Sequence, residues 1–436
     1  MKLKLATKVA LIGASMTMIM SCGDLGKTSE DHYQLAEQYI QSKDNASAVV
    51  ELKNAIKKDP QNFQPRKLLG EIYYFEGNFL QAEKELSSAL RLNPTDASAE
   101  VLLARVLLVL RDYKNFDQIL QNTEQWSKEQ QATAVALKAE SLFYKGEQEE
   151  AEVALDLAAS LPDTKDILYV NALIASSYQQ LSVAQDYLTD ALRKDSDFVK
   201  ALVLKADIAL FKKEYGSALS LYQSAAENQP RNNQLKIDVV RTLLKLKEDD
   251  KASSLLQRII KTTPDIPEAN YFIALIALKN GDFTQANLYS DKVLQTVSEH
   301  LPSHYIKASA SFSLKRYEQT LRHVNKVIAT NASHVPSLKL LAATQLKLGN
   351  TDEATSTLAN VDVDSFDKDD IELLYAASNA AFAGGFKKRN QLFLKNIRSI
   401  NKDDTQPDLR TALSQLENSE GEKSIESIKL ALDAAD

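Results

Sequence analysis

The segment FQPRKLLGEIYYFEGNFLQAEKELSSALRLNP, residues 63–94, determines the fold because it contains two helix-length stretches separated by a turn. Gly77 stands in the turn, where a left-handed residue ends a helix without steric cost. Pro94 closes the segment, since proline cannot continue a helix. Small and apolar side chains recur on both sides of the turn, which predicts two helices packed against each other. These side chains belong to Leu69, Gly70, Tyr73, Ala82, Leu86 and Ala89.

The helix-breaking residues recur along the chain at an interval of 34 residues or its multiples. Gly77 and Gly281 are 204 residues apart, which is six intervals, and Gly349 follows after two more. Internal repetition at this period is the signature of stacked helix-turn-helix units. Three proline pairs are each separated by one interval: Pro60 and Pro94, Pro230 and Pro264, and Pro302 and Pro336.

The repeated pattern resembles the tetratricopeptide repeat (TPR), which has a small residue in its first helix, paired small residues in its second and a proline after it. The resemblance implies an all-α fold, a right-handed TPR α-solenoid of about ten to twelve units, each of which buries its apolar face only by stacking. We predict ten tandem repeats over residues 29–368 and degenerate repeats over 369–436. The third unit departs from the pattern, because Phe116 and Thr123 replace small residues. Units are expected to begin near residues 29, 63, 97, 132, 165, 199, 233, 267, 301, 335, 369 and 404.

The first 22 residues, MKLKLATKVALIGASMTMIMSC, differ from the repeats. Three lysines precede an apolar run at residues 9–20, which is too short for a spanning helix of about 20 residues but typical of a secretory signal. The run ends at Cys22, the single cysteine of the sequence, which excludes an internal disulfide and any multi-cysteine metal site. We therefore predict a leader over residues 1–21, a tether over 22–28 and repeats from Ser29.

Residues 19–22, IMSC, resemble the bacterial lipoprotein signal, although Met20 stands where a small residue is usual. The resemblance implies cleavage before Cys22 and acylation of that residue, so that several acyl chains anchor the protein stably in a membrane. Gly23, rather than Asp, after the cysteine implies the outer membrane of the bacterial cell envelope, with the chain facing the periplasm. An ordinary secretory leader with an incidental cysteine is the alternative.

Charge argues against a nucleic-acid partner. The formal net charge is −7, and it becomes −10 without the three leader lysines, because 49 basic residues then face 59 acidic ones. Phosphate binding depends on clustered Lys and Arg, and the sequence contains no basic run with interleaved aromatic residues.

Sequence motifs for catalysis are missing, so we expect a protein that is not an enzyme and that needs no cofactor or metal. The sequence contains no H-E-x-x-H motif, no phosphate loop and no G-x-S-x-G nucleophile turn. The five histidines are interpreted as falling at unrelated repeat positions. Acidic pairs such as Glu149 and Glu150 are typical of solvated turns.

Aromatic residues recur at positions of the first helix that face the concave groove of such a solenoid. The fifth and twelfth residues of a unit lie on one stripe of the helix, because seven residues make nearly two turns. Aromatic residues at the thirteenth position, next to this stripe, are included. Flat aromatic surface suits a protein partner in this groove, or the sugar rings of a polysaccharide. The alternative is that these rings only pack between helices. The candidate residues are Tyr33, Tyr74, Phe75, Phe143, Tyr144, Tyr169, Phe211, Tyr271, Tyr305 and Phe312.

The N-terminal segments also resemble a narrower family, the tetratricopeptide lipoproteins associated with the exosortase/PEP-CTERM protein-sorting system. The phrases that carry this resemblance are ASAVVELKNAIKKDPQN at residues 46–62, RKLLGEIY at 66–73 and GNFLQAEKEL at 77–86. The resemblance implies a non-enzymatic scaffold that supports the export of exopolysaccharide and of sorted surface proteins. Members of that family are usually longer than this chain. A glycan-binding lipoprotein and a pilus or outer-membrane assembly lipoprotein are the alternatives with the same architecture.

Overall fold

The computed structural model describes residues 26–400, and this part of the chain is all-α. It contains 22 α-helices and no strand, and the helices form eleven consecutive pairs, here called repeats 1 to 11. The first helix of each pair is helix A and the second is helix B. Cys22, the leader and the unit expected from residue 404 lie outside the described residues.

The chain divides into two compact units, Met1–Glu248 and Asp249–Asp436. The first contains α1 to α13: Ser29–Gln41, Asn45–Lys58, Phe63–Phe75, Phe79–Leu92, Ala97–Val109, Tyr113–Ile119, Lys128–Lys145, Gln148–Leu157, Lys165–Ser177, Leu181–Lys194, Val199–Phe211, Tyr215–Asn228 and Asn233–Lys245. The second contains α14 to α22: Asp249–Thr262, Pro267–Lys279, Phe283–Thr296, Leu301–Ser313, Tyr317–Thr330, Val335–Leu348, Thr351–Ala359, Ile371–Ala383 and Lys387–Ile400. One 3₁₀ turn follows α8 and two precede α21.

Helix starts follow the 34-residue interval, and repeat 4 shows the largest departure. Its helix A, α7, begins at Lys128 rather than near Ala132. Ser127 caps this helix: its hydroxyl accepts a hydrogen bond from Gln130 N at 3.2 Å, while the Gln130 side chain accepts one from Ser127 N at 3.1 Å. This reciprocal cap satisfies two backbone donors, so helix A begins about one turn before the unit start expected at Ala132.

Small residues in the middle of helix A allow close approach of helix B. In repeat 2 this residue is Gly70, and a Cβ placed there would lie 2.6 Å from Leu86 Cγ. Such a distance is far inside van der Waals contact, so Gly70 lets α3 and α4 pack more closely than alanine would. The equivalent residues of the other repeats are all buried: Ala36, Ala104, Ala139, Ala172, Ala206, Val240, Ala274, Ala308, Ala342 and Ala377.

Every turn between helix A and helix B contains one residue in the left-handed conformation. Glycine holds this position in repeats 2, 4, 8, 10 and 11, as the loop sequences predict. The other six turns place a longer residue there, although the left-handed region is unfavourable for residues with a Cβ by roughly 1 kcal/mol. These residues are Lys43, Arg111, Gln179, Lys213, Lys247 and Lys315.

The histidines correct the interpretation that their repeat positions are unrelated. His300 and His334 both precede a helix A and are 34 residues apart, and each ring lies 2.8 Å from the hydroxyl of the serine three residues later. His32 and His304 both stand fourth in their repeats and are buried. His300 therefore caps its helix, since its ring also accepts a hydrogen bond from Ser303 N, and His32 and His304 are core residues. Within residues 26–400, every helix is too short or too polar to span a bilayer.

Candidate functional site

The first unit encloses a cavity of about 870 Å³, here called the inner cavity, that is lined by the A helices of repeats 2 to 7. Its volume lies in the range typical of ligand-binding clefts, roughly 300–1,000 Å³. Each helix A contributes side chains because the stacking of the pairs turns the same face of successive A helices towards the cavity. Those contributions include both aromatic and charged side chains.

Aromatic side chains line one part of the inner cavity. Phe75 is 55% exposed and Tyr144 is 46% exposed, so both offer ring surface that no described residue covers. Tyr169 is buried behind them, with its hydroxyl 3.2 Å from the Tyr144 hydroxyl and its ring 5.9 Å from the ring of Phe198. Burial raises the pKa of Tyr169 well above its ordinary value, so this phenol stays neutral. The cluster presents flat apolar surface with a fixed, uncharged polar edge.

A buried ion pair joins repeats 3 and 5 at the cavity. Both oxygens of Asp166 accept hydrogen bonds from the guanidinium of Arg105, at 2.5 and 2.7 Å. Burial alone would raise the pKa of Asp166, but Arg105 outweighs it and the pKa is lowered. Bidentate pairs of this kind are among the stronger hydrogen bonds in proteins. Both groups are therefore ionised and mutually satisfied.

A second buried pair joins repeats 4 and 6. Lys200 Nζ lies 2.8 and 2.7 Å from the two oxygens of Glu140, whose side chain is only 3% exposed. Burial raises the pKa of Glu140 even though Lys200 opposes the shift. Lys200 also lies 5.7 Å from the centre of the Tyr169 ring, within reach of a cation–π contact. The middle of the cavity is therefore polar, but its charges already have partners.

One side of the inner cavity is closed by a contact between the turn of repeat 2 and the segment that precedes helix A of repeat 7. The backbone N–H of Arg231 donates to the carbonyl oxygen of Glu76 at 2.7 Å, and the side chains of the two residues form an ion pair at 2.7 Å. Gly77 lies against Asn232, where a Cβ would be 2.6 Å from Asn232 Cβ and 2.9 Å from its backbone nitrogen. We call this contact, formed by residues 76–77 and 231–232, the closing contact.

Four of the ten aromatic residues selected from the sequence line the inner cavity: Tyr74, Phe75, Tyr144 and Tyr169. Phe143 is partly buried in the hydrophobic core beside them, and Tyr33 packs on the core of the first repeats. Phe211 is 68% exposed and does not line the cavity. In the second unit, rings pair with neighbours: Tyr271 with His300 at 5.2 Å, Tyr305 with His334 at 5.4 Å and Phe312 with Tyr317 at 5.7 Å.

The sequence reasoning missed the two buried ion pairs. In each of them, the ninth residue of a repeat, counted from the unit starts expected at residues 97 and 132, pairs with the second residue of the repeat two units later. A search for oppositely charged residues that occupy these two positions, 60 or 61 residues apart, could have identified both pairs from the sequence. Among residues 26–400, no group of three or more His, Cys, Asp or Glu side chains converges to hold a metal ion.

Comparison with known families agrees with the repeat architecture. Family models described as tetratricopeptide repeat match residues 39–106, 209–276 and 170–233, and a model described as anaphase-promoting complex, cyclosome, subunit 3 matches 245–327. No curated protein matches the sequence significantly.

Solved structures to which this chain is similar share little sequence with it. The pilF protein of Pseudomonas aeruginosa is 15% identical, covers 50% of this chain and 99% of its own, and has a TM-score of 0.46. The Cut9 component of the APC/C Cut9–Hcn1 hetero-tetramer is 15% identical over 94% of this chain and 88% of its own, with a TM-score of 0.33. Yeast Tom70 is 14% identical over 85% of this chain and 99% of its own, with a TM-score of 0.36.

Proposed function

We propose that this chain, parts of which match tetratricopeptide-repeat family models, is a non-enzymatic scaffold that holds a protein partner in the inner cavity. The observation that carries the proposal is the uncovered aromatic surface of Phe75 and Tyr144 at a cavity formed by successive A helices. Aromatic anchors in partly enclosed pockets supply much of the binding energy at protein interfaces. The two buried ion pairs beneath these rings hold the A helices in place. A partner would therefore contact the apolar rings rather than the charges.

Photo-crosslinking from the cavity tests this proposal. A photoreactive phenylalanine analogue at position 75 is expected to give discrete protein adducts in intact cells, because Phe75 faces the cavity. The matched control is the same analogue at position 211, which is also the last residue of a helix A and is exposed outside the cavity. Adding Tyr144→Ala should reduce the adducts at position 75 about tenfold, as expected for loss of an anchor worth about 1.4 kcal/mol. Equal labelling from positions 75 and 211 would contradict the assignment.

The cellular role in the proposal is support for the export of exopolysaccharide and of sorted surface proteins, from an outer-membrane lipid anchor facing the periplasm. Its support is the sequence alone: the IMSC signal and the family-like first two repeats. The chain then begins its repeats seven residues after the anchor, and seven extended residues span at most about 25 Å. The array would therefore start close to the membrane surface.

Membrane fractionation tests the anchor. Cys22→Ala removes the acylated thiol, so the protein should lose its acyl chains and leave the membrane fraction. Cys22→Ser provides a second variant with the same loss and a polar side chain of similar size. If both variants stay acylated and membrane-bound, the anchor proposal is wrong.

A glycan is the second candidate occupant of the inner cavity. The observation that favours it is that the buried charges are satisfied within the protein, so a neutral ligand need displace none of them. Asn228 and Asn232 also line the same cavity. In the crosslinking experiment, adducts at position 75 that carry polysaccharide rather than protein would favour this candidate over a protein partner.

A further inference from the structure

Helix B of repeat 3 is half as long as its counterparts. This helix, α6, ends at Ile119 after 7 residues, whereas eight of the eleven B helices within residues 26–400 contain 14. Its seven-residue deficit corresponds to about two helical turns, or roughly 10 Å of helix. The two neighbouring elements that those turns would contact, α4 and α5, keep their full lengths.

In other repeats, the second half of helix B contributes buried side chains at the place that the missing turns leave in repeat 3. The eleventh residue of helix B is fully or almost fully buried in repeats 2, 5 and 6, where it is Ala89, Ala191 or Ala225. The equivalent residue in repeat 3, Thr123, is only half-buried and lies after the end of the helix. The segment that follows α6 is hydrogen-bonded to α7 and does not continue the helix.

Two hydrogen bonds hold that segment on α7. The side-chain amide of Gln131 donates to the carbonyl oxygens of Glu124 at 2.9 Å and Trp126 at 3.1 Å. Trp126 packs on the core beside it. The segment therefore does not occupy the place of the missing turns.

An apolar groove of about 440 Å³ remains between α4, α5 and α6, here called the repeat 3 groove. Leu90 comes from α4, Leu103 and Leu107 from α5, and Ile119 from the end of α6. No residue lines both this groove and the inner cavity. The groove is therefore a second surface, separate from the proposed partner site.

A carboxylate at the groove, which Arg91 also lines, lacks the partner that its repeat position has in three other repeats. The fourth residue of helix A pairs with the seventh of helix B in repeats 1, 2 and 9, for example Arg66 with Glu85 at 3.1 Å. In repeat 3 the fourth residue is Glu100 and the seventh is Ile119, so the apolar side chain offers no partner. Burial, and then repulsion by Asp96, raise the pKa of Glu100. A ligand cation beside Glu100 would offset both the cost of burying its carboxylate and the repulsion by Asp96.

We propose that the repeat 3 groove binds an amphipathic α-helix of a partner protein, which takes the place of the two missing turns of helix B. The binding helix carries apolar residues at i, i+3 or i+4 and i+7, which fit the accessible apolar lining of Leu90, Pro94 and Ile119, with Lys or Arg placed against Glu100. A helix in an apolar groove is a recurrent mode of peptide recognition. The length of the groove limits the ordered part of the ligand to about two turns.

This chain itself supplies a probe of the required chemistry. The segment Leu181–Lys194 is helix B of repeat 5; it buries Ala191 at the position left open in repeat 3 and ends in Arg193 and Lys194. A fluorescent, helix-stabilised peptide of this sequence is titrated into the full-length protein and followed by fluorescence anisotropy. We expect a dissociation constant on the order of 10–100 μM, because the contact area is small. The same peptide with Asp at the positions of Ala191 and Leu192 should show no binding.

Two protein variants locate the binding site. Glu100→Gln should weaken binding about 3–10-fold and reduce its dependence on salt, whereas Glu227→Gln, a change of an exposed glutamate in the same unit, should leave it unchanged. The second variant replaces residues 121–126 with TDALRK, the end of helix B from repeat 5, so that the chain fills its own groove. This variant should gain helical circular dichroism and lose peptide binding. No binding to the wild-type protein, or equal binding to the filled variant, would overturn the proposal.

Discussion

Lys200→Met is expected to lower the free energy of unfolding of the first unit by about 3–5 kcal/mol, the cost typical of removing one partner from a buried ion pair. The change leaves the Glu140 carboxylate in a site where its side chain is 3% exposed and where no other cation is in hydrogen-bonding contact. Methionine keeps most of the length of lysine, so the loss reports the stranded charge rather than a cavity. Urea unfolding followed by the fluorescence of Trp126, the single tryptophan of the sequence, measures the effect within this unit.

The pH dependence of this variant has a defined sign. Burial raises the pKa of Glu140 in the folded protein, and loss of Lys200 should raise it further. An acid with a raised folded pKa favours the folded state once the pH falls below that pKa, because the folded state then binds the proton more tightly. The destabilisation should therefore shrink as the pH is lowered from about 8 towards 5.

The control for Lys200→Met removes both charges. Glu140→Leu combined with Lys200→Met should lie within about 1 kcal/mol of the wild type, because replacing a whole buried pair by apolar residues is often neutral or stabilising. If the double variant is as unstable as the single one, the loss comes from packing and not from an uncompensated charge.

Gly77→Ala is expected to lower the free energy of unfolding of the first unit by about 2–4 kcal/mol, for two additive reasons. Gly77 has a φ of 79°, a conformation that costs a residue with a Cβ about 1 kcal/mol. The new Cβ would also lie 2.6 Å from Asn232 Cβ and 2.9 Å from the Asn232 backbone nitrogen, and overpacking of this kind costs about 1–3 kcal/mol. The same urea titration measures the change.

Gly146→Ala is the matched control for Gly77→Ala. Gly146 occupies the equivalent turn of repeat 4 with a φ of 86°, but a Cβ there would meet nothing within 4 Å. Its substitution should cost only the conformational part, about 1 kcal/mol. Equal losses for the two variants would show that the closing contact contributes nothing to stability.

The repeat spacing was sufficient to predict the pairs of helices, because glycine and proline limit where helices can begin and end. It placed helix A of most repeats at the observed residue. It failed by one turn in repeat 4, since the cap between Ser127 and Gln130 acts locally and does not follow the interval. It also could not predict the early end of α6 at Ile119, where the following segment bonds to α7 instead of extending the helix.

The candidate site was only partly predictable for a different reason. The stripe rule identified Tyr169 and Tyr74, the fifth and twelfth residues of their units, and Phe75 and Tyr144 were selected as thirteenth residues, so all four followed from local position. Contacts such as that of Arg105 with Asp166 depend on how closely alternate A helices approach. That distance is set by the accumulated rotation from one repeat to the next, and a single repeat sequence does not specify it.

The closing contact bears on how the first unit folds and opens. In a row of repeats that touch only their neighbours, the end can fray without disturbing the middle, and folding can start anywhere and spread. The bond between Arg231 and Glu76 joins residues from repeat 2 and the start of repeat 7, so the intervening repeats form a loop rather than an open row. Hydrogen exchange should then show the amides of repeats 2 to 6 opening together in one cooperative step, while repeat 1, which lies outside the loop, exchanges first.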